Sequence, residues 1–435
     1  MEWWVLLNLL VISLIAAMFT GMPVAFAFLI INLSVSLLVI GEQGPLMLIL
    51  DMMESVINFS LTPVPLFVLM GAILFHSGVV TQTIDRIAEW MGAIPGRLAL
   101  IAVAAGALLG VLSGSTMAST ALLNSLLFPE MVRKGYDTRL SIGSIMASGG
   151  LAMILPPSSL AIIYATVAKI SVGDFLIAGI IPGIVMAMVY TITIMVRTTL
   201  KPSLAPRYEI EQAALSQRLI ALCRDAVPVA VLLFVVLGLM LLGVATPTEC
   251  AALGAVGAAL IAIAYRKMSL RVFRLSLIET VKVSGMMMLI IAGSAVYSQL
   301  LAFSGTSRNL VKFVLELDLS PTLIVLSMLF LVFILGFFME QMAIIMITVP
   351  LYTMVVSALG IDQLWFGILM LICLQIGLTT PPFGLILFVV KGMYKQLSTR
   401  DIYWSAAPFV LCDLCSMILI WFVPYLATWL PNVFN

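Results

Sequence analysis

Apolar runs of about 20 residues recur along the whole chain, and this pattern restricts its fold more than any other feature. Each run is long enough to cross a hydrocarbon core about 30 Å thick. Of the 435 residues, 63% are hydrophobic and only 9% are charged, whereas a soluble protein carries roughly 25% charged residues. We therefore predict an all-α polytopic membrane protein in a lipid bilayer, with no soluble domain. The predicted spans are 3–20, 24–41, 64–77, 139–170, 175–197, 226–243, 248–265, 281–304, 363–396 and 403–429.

Composition also excludes several functions. The net charge is +1 and no basic tract is present, so nucleic acid is not an expected partner. The five cysteines and the single histidine do not form a metal or disulfide framework by their spacing. No pairing of serine with histidine or of aspartate with histidine occurs at membrane depth. We therefore predict that the chain is not an enzyme.

The basic residues predict the orientation. Five segments hold 18 of the 21 lysines and arginines, leaving Lys169, Arg308 and Lys312. If those segments are cytoplasmic, every other connection lies outside and the spans alternate consistently. Both termini are then expected on the outer, periplasmic side. The five segments are 78–97, 130–139, 197–225, 266–282 and 391–401.

Two stretches, 98–133 and 321–357, differ from simple spans because polar residues interrupt them. Their centres read "SGSTMAST" and "GFFMEQMA". Two arms of about 15 residues would each be only about 22 Å long. We therefore predict two re-entrant hairpins, which enter the membrane from opposite sides.

The two halves of the chain repeat one order of motifs. "ILPPSS" (Ile154–Ser159) corresponds to "TTPPFG" (Thr379–Gly384), with an offset of 225 residues. Because the charges give the halves opposite orientations, we predict an inverted-topology repeat with two broken helices, which is typical of transporters. Broken backbone at membrane depth is tolerated where it lines a cavity in the protein. The predicted boundaries are an N-terminal span 1–23, a first repeat 24–197 with hairpin 98–133 and broken helix 139–170, a connecting segment and span 198–247, and a second repeat 248–435 with hairpin 321–357 and broken helix 363–396.

Each half is expected to bring a hairpin tip against a broken helix. Hydroxyl groups and freed carbonyls are hard oxygen ligands, which suit an alkali cation, and the N-termini of half-helices suit a carboxylate. The predicted cation-binding residues are Ser113, Ser115, Ser119, Gly149 and Pro156 in the first half and Gly336, Gly377 and Thr380 in the second. The predicted substrate-binding or coupling residues are Thr116, Glu340, Thr379, Pro381 and Gly384.

Glu340 is the only acidic residue between Pro321 and Gly360. A carboxylate at membrane depth costs about 2.5–3.5 kcal/mol on insertion scales, which favours a functional role. It could complete a cation site, hold a coupling proton or orient Thr379 and Thr380. The structural alternative is a helix cap.

At these motifs the chain resembles the large membrane subunit of tripartite ATP-independent periplasmic (TRAP) transporters. "SGSTMAST", "ILPPSS", "VPLYTMVVSALGID", "WFG" and "IGLTTPPFG" carry the resemblance, in order, over nearly the whole chain. It implies an elevator-type inverted-repeat fold similar to the divalent anion–sodium symporters. It also implies sodium-driven import of an organic acid, with two or more sodium ions at the residues named above. The implied partners are a periplasmic substrate-binding protein and a small four-span membrane subunit, expected as a separate chain. One departure is Gly150, which stands where the family often has threonine.

Other functions stay open on the sequence alone. A stand-alone sodium–anion symporter would show the same motifs without needing a binding protein. A channel fits less well, because two opposed hairpins favour alternating access. The sequence does not specify which organic acid is carried.

Overall fold

The computed structural model describes residues 2–91, 94–113, 116–206, 215–382 and 384–434. Throughout these ranges the regular structure is helical and no β-strand occurs, which confirms the predicted all-α class. The side chains of residues 111–113 and 215–218 are outside this description.

The N-terminal part combines apolar helices with two amphipathic ones. Two half-polar stretches of the sequence, near 45–60 and 81–95, form α3 and α5, whose polar residues lie largely on one face. Proline stands in the first turn of α3 and of α4, where its missing N–H had no helical partner. These helices are α1 (Trp3–Phe19), α2 (Val24–Val39), α3 (Gly44–Val56), α4 (Pro63–His76) and α5 (Val79–Trp90).

The first hairpin and first broken helix follow. Asp137 caps the N-terminus of the next helix, because its carboxylate accepts hydrogen bonds from the N–H groups of Arg139 (2.9 Å) and Leu140 (3.0 Å). That helix ends at Gly150, a short 3₁₀ turn follows, and the chain resumes a helix at Ser159. The elements are α6 (Arg97–Ser113), α7 (Thr116–Arg133), α8 (Thr138–Gly150), α9 (Ser159–Ala168), α10 (Val172–Ala178) and α11 (Ile180–Leu200).

The central part corrects one prediction. The basic segment 266–282 was expected to be a cytoplasmic connection, separate from a span at 281–304. Instead, one helix of 34 residues begins at Leu270 and continues to Phe303; this is about 51 Å, longer than a membrane crossing needs. The charged residues of its first part favour a helix as the apolar residues of its second part do, so the backbone stays helical while the hydropathy changes along its length. The elements are α12 (Leu215–Asp225), α13 (Val227–Leu241), α14 (Pro247–Ala264), α15 (Leu270–Phe303) and α16 (Thr306–Glu316).

The C-terminal part repeats the order of hairpin, broken helix and long helix. The broken helix stops at Thr379 and resumes at Leu385. The last predicted span, 403–429, is divided into two helices near Val423. The elements are α17 (Pro321–Gly336), α18 (Gln341–Ala358), α19 (Gln363–Thr379), α20 (Leu385–Met393), α21 (Thr399–Phe422) and α22 (Tyr425–Phe434).

Helix length revises the predicted membrane crossings. Within the described residues, six helices are long and apolar enough to span, or seven if α12 and α13, which bend by 46°, form one span. Several other predicted spans are apolar helices of 10–17 residues. The second arm of each hairpin, α7 in the first and α18 in the second, has 18 residues and is about 27 Å long. The expectation of arms of about 15 residues was therefore wrong for these two, and re-entrance rests on the charge pattern.

The helices pack as two groups. In the first group α4 packs on α14 and α15, with α2, α3 and α13 around them. In the second group each hairpin packs on the broken helix of its own repeat: α6 and α7 lie on α8, and α17 lies on α19. The second halves of the broken helices cross over, because α9 contacts α18 and α20 contacts α7. The two predicted repeats are thereby interlocked at the breaks.

Candidate functional site

In the first half, glycines bring the hairpin and α8 into direct backbone contact. A Cβ atom built on Gly149 would lie 2.0 Å from Oγ1 of Thr120, and one on Gly106 would lie 2.4 Å from the carbonyl oxygen of Ser148. Only glycine permits these approaches. Ser119, one of the predicted ligands, and Pro156 are buried in the same region. The break after Gly150 therefore lies against the hairpin, as the paired motifs suggest.

The second half has a corresponding contact between its hairpin and its broken helix. A Cβ on Gly336 would lie 2.9 Å from the Cα of Gly377, so the backbones of α17 and α19 touch at these two predicted residues. Gly384 is also buried, and a Cβ there would lie 2.3 Å from the carbonyl oxygen of Leu378. Both Pro-Pro bonds, Pro156–Pro157 and Pro381–Pro382, are cis.

The two threonines at the second break hydrogen-bond to their own helix. Thr379 Oγ1 donates to the carbonyl oxygen of Gln375 at 2.9 Å, and Thr380 Oγ1 donates to that of Ile376 at 2.6 Å. A hydroxyl that donates its proton keeps lone pairs with which to accept or to bind a cation. Thr379 is buried and Thr380 is half-buried. The geometry leaves both oxygens chemically suited to an alkali cation.

Glu340 occupies the N-cap position of α18. Its Oε2 accepts a hydrogen bond from the N–H of Met342 at 3.1 Å, and its side chain is half-buried. The structural role considered for this residue, a helix cap, is thus present. A carboxylate at a helix N-terminus is also favoured by the helix dipole.

Five buried polar residues lie near the two breaks, and four of them were missed from the sequence. Each has a side-chain atom without a hydrogen-bond partner among the described residues, and both polar atoms of Gln375 lack one there. A buried polar group left unpaired costs about 1–3 kcal/mol, and native structures contain few of them. We interpret the cluster as positions that a guest, an ion, water or substrate, completes. The five are Thr116, which was predicted only as a substrate contact, and Thr120, Asn124, Gln341 and Gln375.

A signal for part of this cluster is present in the sequence. Thr120 and Gln341 differ by 221 positions, close to the 223 positions that separate the two hairpin centres "SGSTMAST" and "GFFMEQMA". Gly149 and Gln375 differ by 226 positions, close to the offset of the Pro-Pro motifs. Aligning the two halves therefore places these positions near the hairpin tips and the breaks, but does not show that their polar atoms lack partners.

Two predicted ligands are not placed. Ser115 lies outside the described residues, and Ser113 ends α6 with a side chain that is also outside them. The part of the site described in the first half therefore consists of Thr116, Ser119 and Thr120 with the glycines of α8.

The chain has the fold of a polytopic α-helical membrane protein. It is similar to the solved structure of the YdaH transporter of Alcanivorax borkumensis, with a TM-score of 0.59, 15% identity and 89% of each chain covered. At this identity the similarity concerns the fold alone.

Residues 11–426 match the family described as "Tripartite ATP-independent periplasmic transporter, DctM component". The chain is 33% identical over 404 residues to the C4-dicarboxylate TRAP transporter large permease protein DctM of Pseudomonas aeruginosa, covering 92% of each chain. It is 31% identical over 437 residues to the protein of the same name from Rhodobacter capsulatus, covering 97% of each. The chain therefore belongs to the DctM family of TRAP transporters, which confirms the resemblance found in its motifs.

The family determines the class of activity. Its members are transport permeases and not enzymes, as predicted for this chain. The family and the apolar helices together identify a polytopic membrane protein. A tripartite transporter implies two further components, a small membrane subunit and a periplasmic binding protein.

Proposed function

We propose that this chain imports an organic acid across the bacterial inner membrane, driven by sodium ions. The observation that carries the proposal is the pair of matching contacts between hairpins and broken helices. Beside one interrupted helix the backbone at Gly149 closes on the Thr120 side chain, and beside the other the backbones at Gly336 and Gly377 touch. Such breaks at corresponding positions of two halves are typical of ion and substrate sites in secondary transporters.

The sodium ions would be held by oxygen atoms at these contacts. In the second half the donors are the carbonyl groups near Gly336 and Gly377 and the hydroxyl of Thr380. In the first half they are the hydroxyls of α7 and the carbonyls that follow Gly149. Because Gly150 has no hydroxyl, backbone oxygens replace the threonine ligand that the family often has there.

The substrate carboxylate would bind at the half-helix N-termini. The N-cap of α20 is Gly384, which offers no side-chain cap, so its first N–H groups are available to an anion. The N-cap of α9 is Ser158, whose hydroxyl already accepts from the N–H of Ala161 at 3.3 Å. This difference favours α20 as the main carboxylate site. The C4-dicarboxylate relatives support organic acids as the substrate class.

The partners and the movement follow from the two helix groups. We propose that α3 and α5, with their one-sided polar faces, dock a small four-span subunit, and that a periplasmic binding protein delivers the substrate. The group formed by hairpins and broken helices would move relative to the group around α4, α14 and α15, as an elevator. This arrangement would carry the site across the membrane without dismantling it.

Two sodium ions are the expected minimum for a monocarboxylate. One sodium with a monoanion is electroneutral and gains nothing from the membrane potential. Two leave a net charge of +1, which gains about 2.3 kcal/mol per 100 mV, and a tenfold accumulation needs only about 1.4 kcal/mol. The second ion thus adds more than tenfold to the attainable gradient.

Uptake into proteoliposomes containing all three components tests the proposal. A thermal-shift screen of the binding protein, with succinate and pyruvate among the acids, would identify the substrate. Uptake should require an inward sodium gradient and, for a monocarboxylate, should increase with a valinomycin-imposed negative interior. Equal uptake with choline or potassium in place of sodium would reject sodium coupling. Full uptake by this chain alone would instead indicate a stand-alone symporter.

A further inference from the structure

A cavity of about 890 Å³ lies between the two helix groups, away from the breaks. Its walls come from α3 and α15 on one side and from the ends of α9 and α18 on the other. Ligand sites for small molecules typically measure about 300–1,000 Å³. None of the predicted site residues that the structure describes lines this cavity. By the distribution of basic residues, these ends of α9 and α18 face the outside.

The lining is polar and has charges of both signs. Lys169 is the only cation among the described lining residues, and Asp51 and Glu54 belong to the wall formed by α3. Burial, and then the neighbouring Glu54, raise the pKa of the Asp51 carboxyl. The remaining polar groups are hydroxyls and amides, which hydrogen-bond equally well to carboxylates and to hydroxy acids. They include Asn58, Thr166, Ser294, Gln299, Thr353 and Gln363.

The backbone at Lys169 gives an independent reason to assign its side chain a role. Lys169 ends α9 in the left-handed conformation, with φ of 58° and ψ of 37°. Glycine is strongly preferred at such helix ends, because a Cβ atom is disfavoured there. Lys169 is exposed, and in the described part of the chain it forms no ion pair. The chain therefore retains a lysine where local structure alone would favour glycine.

We propose that this cavity is an outer receiving site, in which Lys169 binds the carboxylate of the incoming substrate before it reaches the broken helices. This inference rests on the proposed function and adds a residue and a location to it. The carboxylates of α3 oppose the anion, so binding is weak enough for the substrate to move on. The structural alternative is that the lysine only balances the negative end of the α9 dipole.

Charge-restoring chemistry at position 169 tests the proposal. Lys169→Cys is made in a background without native cysteines, because Cys223 and Cys415 are exposed. The complete transporter is reconstituted, and uptake of labelled succinate and pyruvate is measured against concentration. The half-saturating concentration should rise about 3- to 5-fold, the size expected for a solvent-screened ion pair. A positively charged methanethiosulfonate reagent should restore it, and a negatively charged one should raise it further.

Two further variants separate charge from structure. Lys169→Gly relieves the left-handed backbone and should unfold at the same or a higher temperature, with the same rise in half-saturating concentration. Arg266→Cys is the matched control, because Arg266 is also exposed and left-handed, with φ of 54°, but does not line the cavity. It should respond to neither reagent.

A second measurement does not depend on transport. Succinate or pyruvate should slow reaction of the cysteine introduced at position 169 in detergent, and should not slow reaction of the one at position 266. Unchanged half-saturation in Lys169→Cys, or no protection by either acid, would overturn the receiving site. Sodium-driven uptake by the unmodified protein would then still support the proposed function, so the two failures are distinguishable.

Discussion

Replacing Gln375 by methionine should stabilise the protein and impair transport. Gln375 is fully buried, and within the described part of the chain neither its Oε1 nor its Nε2 has a hydrogen-bond partner. Each unpaired polar group costs about 1–3 kcal/mol, and methionine has nearly the same shape without polar atoms. The free energy of unfolding without ligand should therefore increase by at least about 1–3 kcal/mol. If a guest completes this amide during transport, the same change removes a ligand contact.

Thermal unfolding with sodium chloride and with choline chloride provides the assay, alongside uptake in proteoliposomes. In choline, Gln375→Met should have a higher Tm than the unmodified protein. Sodium or substrate should raise the Tm of the unmodified protein more than that of the variant. Uptake by the variant should fall even though it folds more stably, which a merely structural role would not produce.

The matched control is Gln82→Met on α5. The Gln82 Oε1 accepts a hydrogen bond from Nζ of Lys267 at 2.5 Å, so its amide is already paired. Removing it should lower the Tm, the opposite sign. The reasoning is refuted if Gln375→Met lowers the Tm as Gln82→Met does, or if it leaves uptake unchanged.

Three other predictions follow from single positions. Gly336→Ala should destabilise the protein by about 1–3 kcal/mol, because the new Cβ meets the Cα of Gly377 at 2.9 Å. Gly238→Ala in α13 should not destabilise the protein, because its new Cβ would have no described atom within 4 Å. Equal Tm values for Gly336→Ala and Gly238→Ala would contradict the close contact at Gly336. Glu340→Gln should cut uptake severely while the complex still assembles, because the amide oxygen keeps the helix cap but the side chain loses its charge. Wild-type uptake by this variant would show that Glu340 acts only as the cap of α18. A cysteine replacing the exposed Ser203, in a background without native cysteines, should resist an impermeant thiol reagent in intact spheroplasts, and rapid labelling would invert the proposed topology.

Local signals in the sequence predicted much of the fold. The Pro-Pro motifs lie at the breaks of α8–α9 and α19–α20, because two consecutive prolines lack N–H groups for helical hydrogen bonds and their rings clash with the preceding turn. The half-polar stretches near 45–60 and 81–95 form α3 and α5, and the helical spacing of their polar residues is also a local signal. Helix α15 was missed because hydropathy reports the polarity of residues and not whether the backbone continues. Charged residues such as Arg271 and Arg274 form helix as readily as apolar ones.

The site was predicted less completely, because its orphan polar groups depend on tertiary contacts. Nothing in the sequence near Thr120 or Gln375 indicates that their polar atoms lack partners. Glu340 was singled out for its charge, yet its cap of α18 depends on where that helix begins. Single-residue signals thus located the breaks, and packing determined which side chains surround them.

Packing also explains the departure at Gly150. A Cβ on this residue would lie 1.9 Å from Nε2 of Gln375 and 2.6 Å from its Oε1. The absence of a side chain in the first repeat therefore makes room for a glutamine from the second. Gly150→Thr alone should collide with the amide and lower both Tm and uptake. Gly150→Thr combined with Gln375→Ala should recover a large part of the Tm loss, giving an interaction energy of about 0.5–3 kcal/mol in a double-mutant cycle. Additive losses of the two single variants would show that the positions do not share this space.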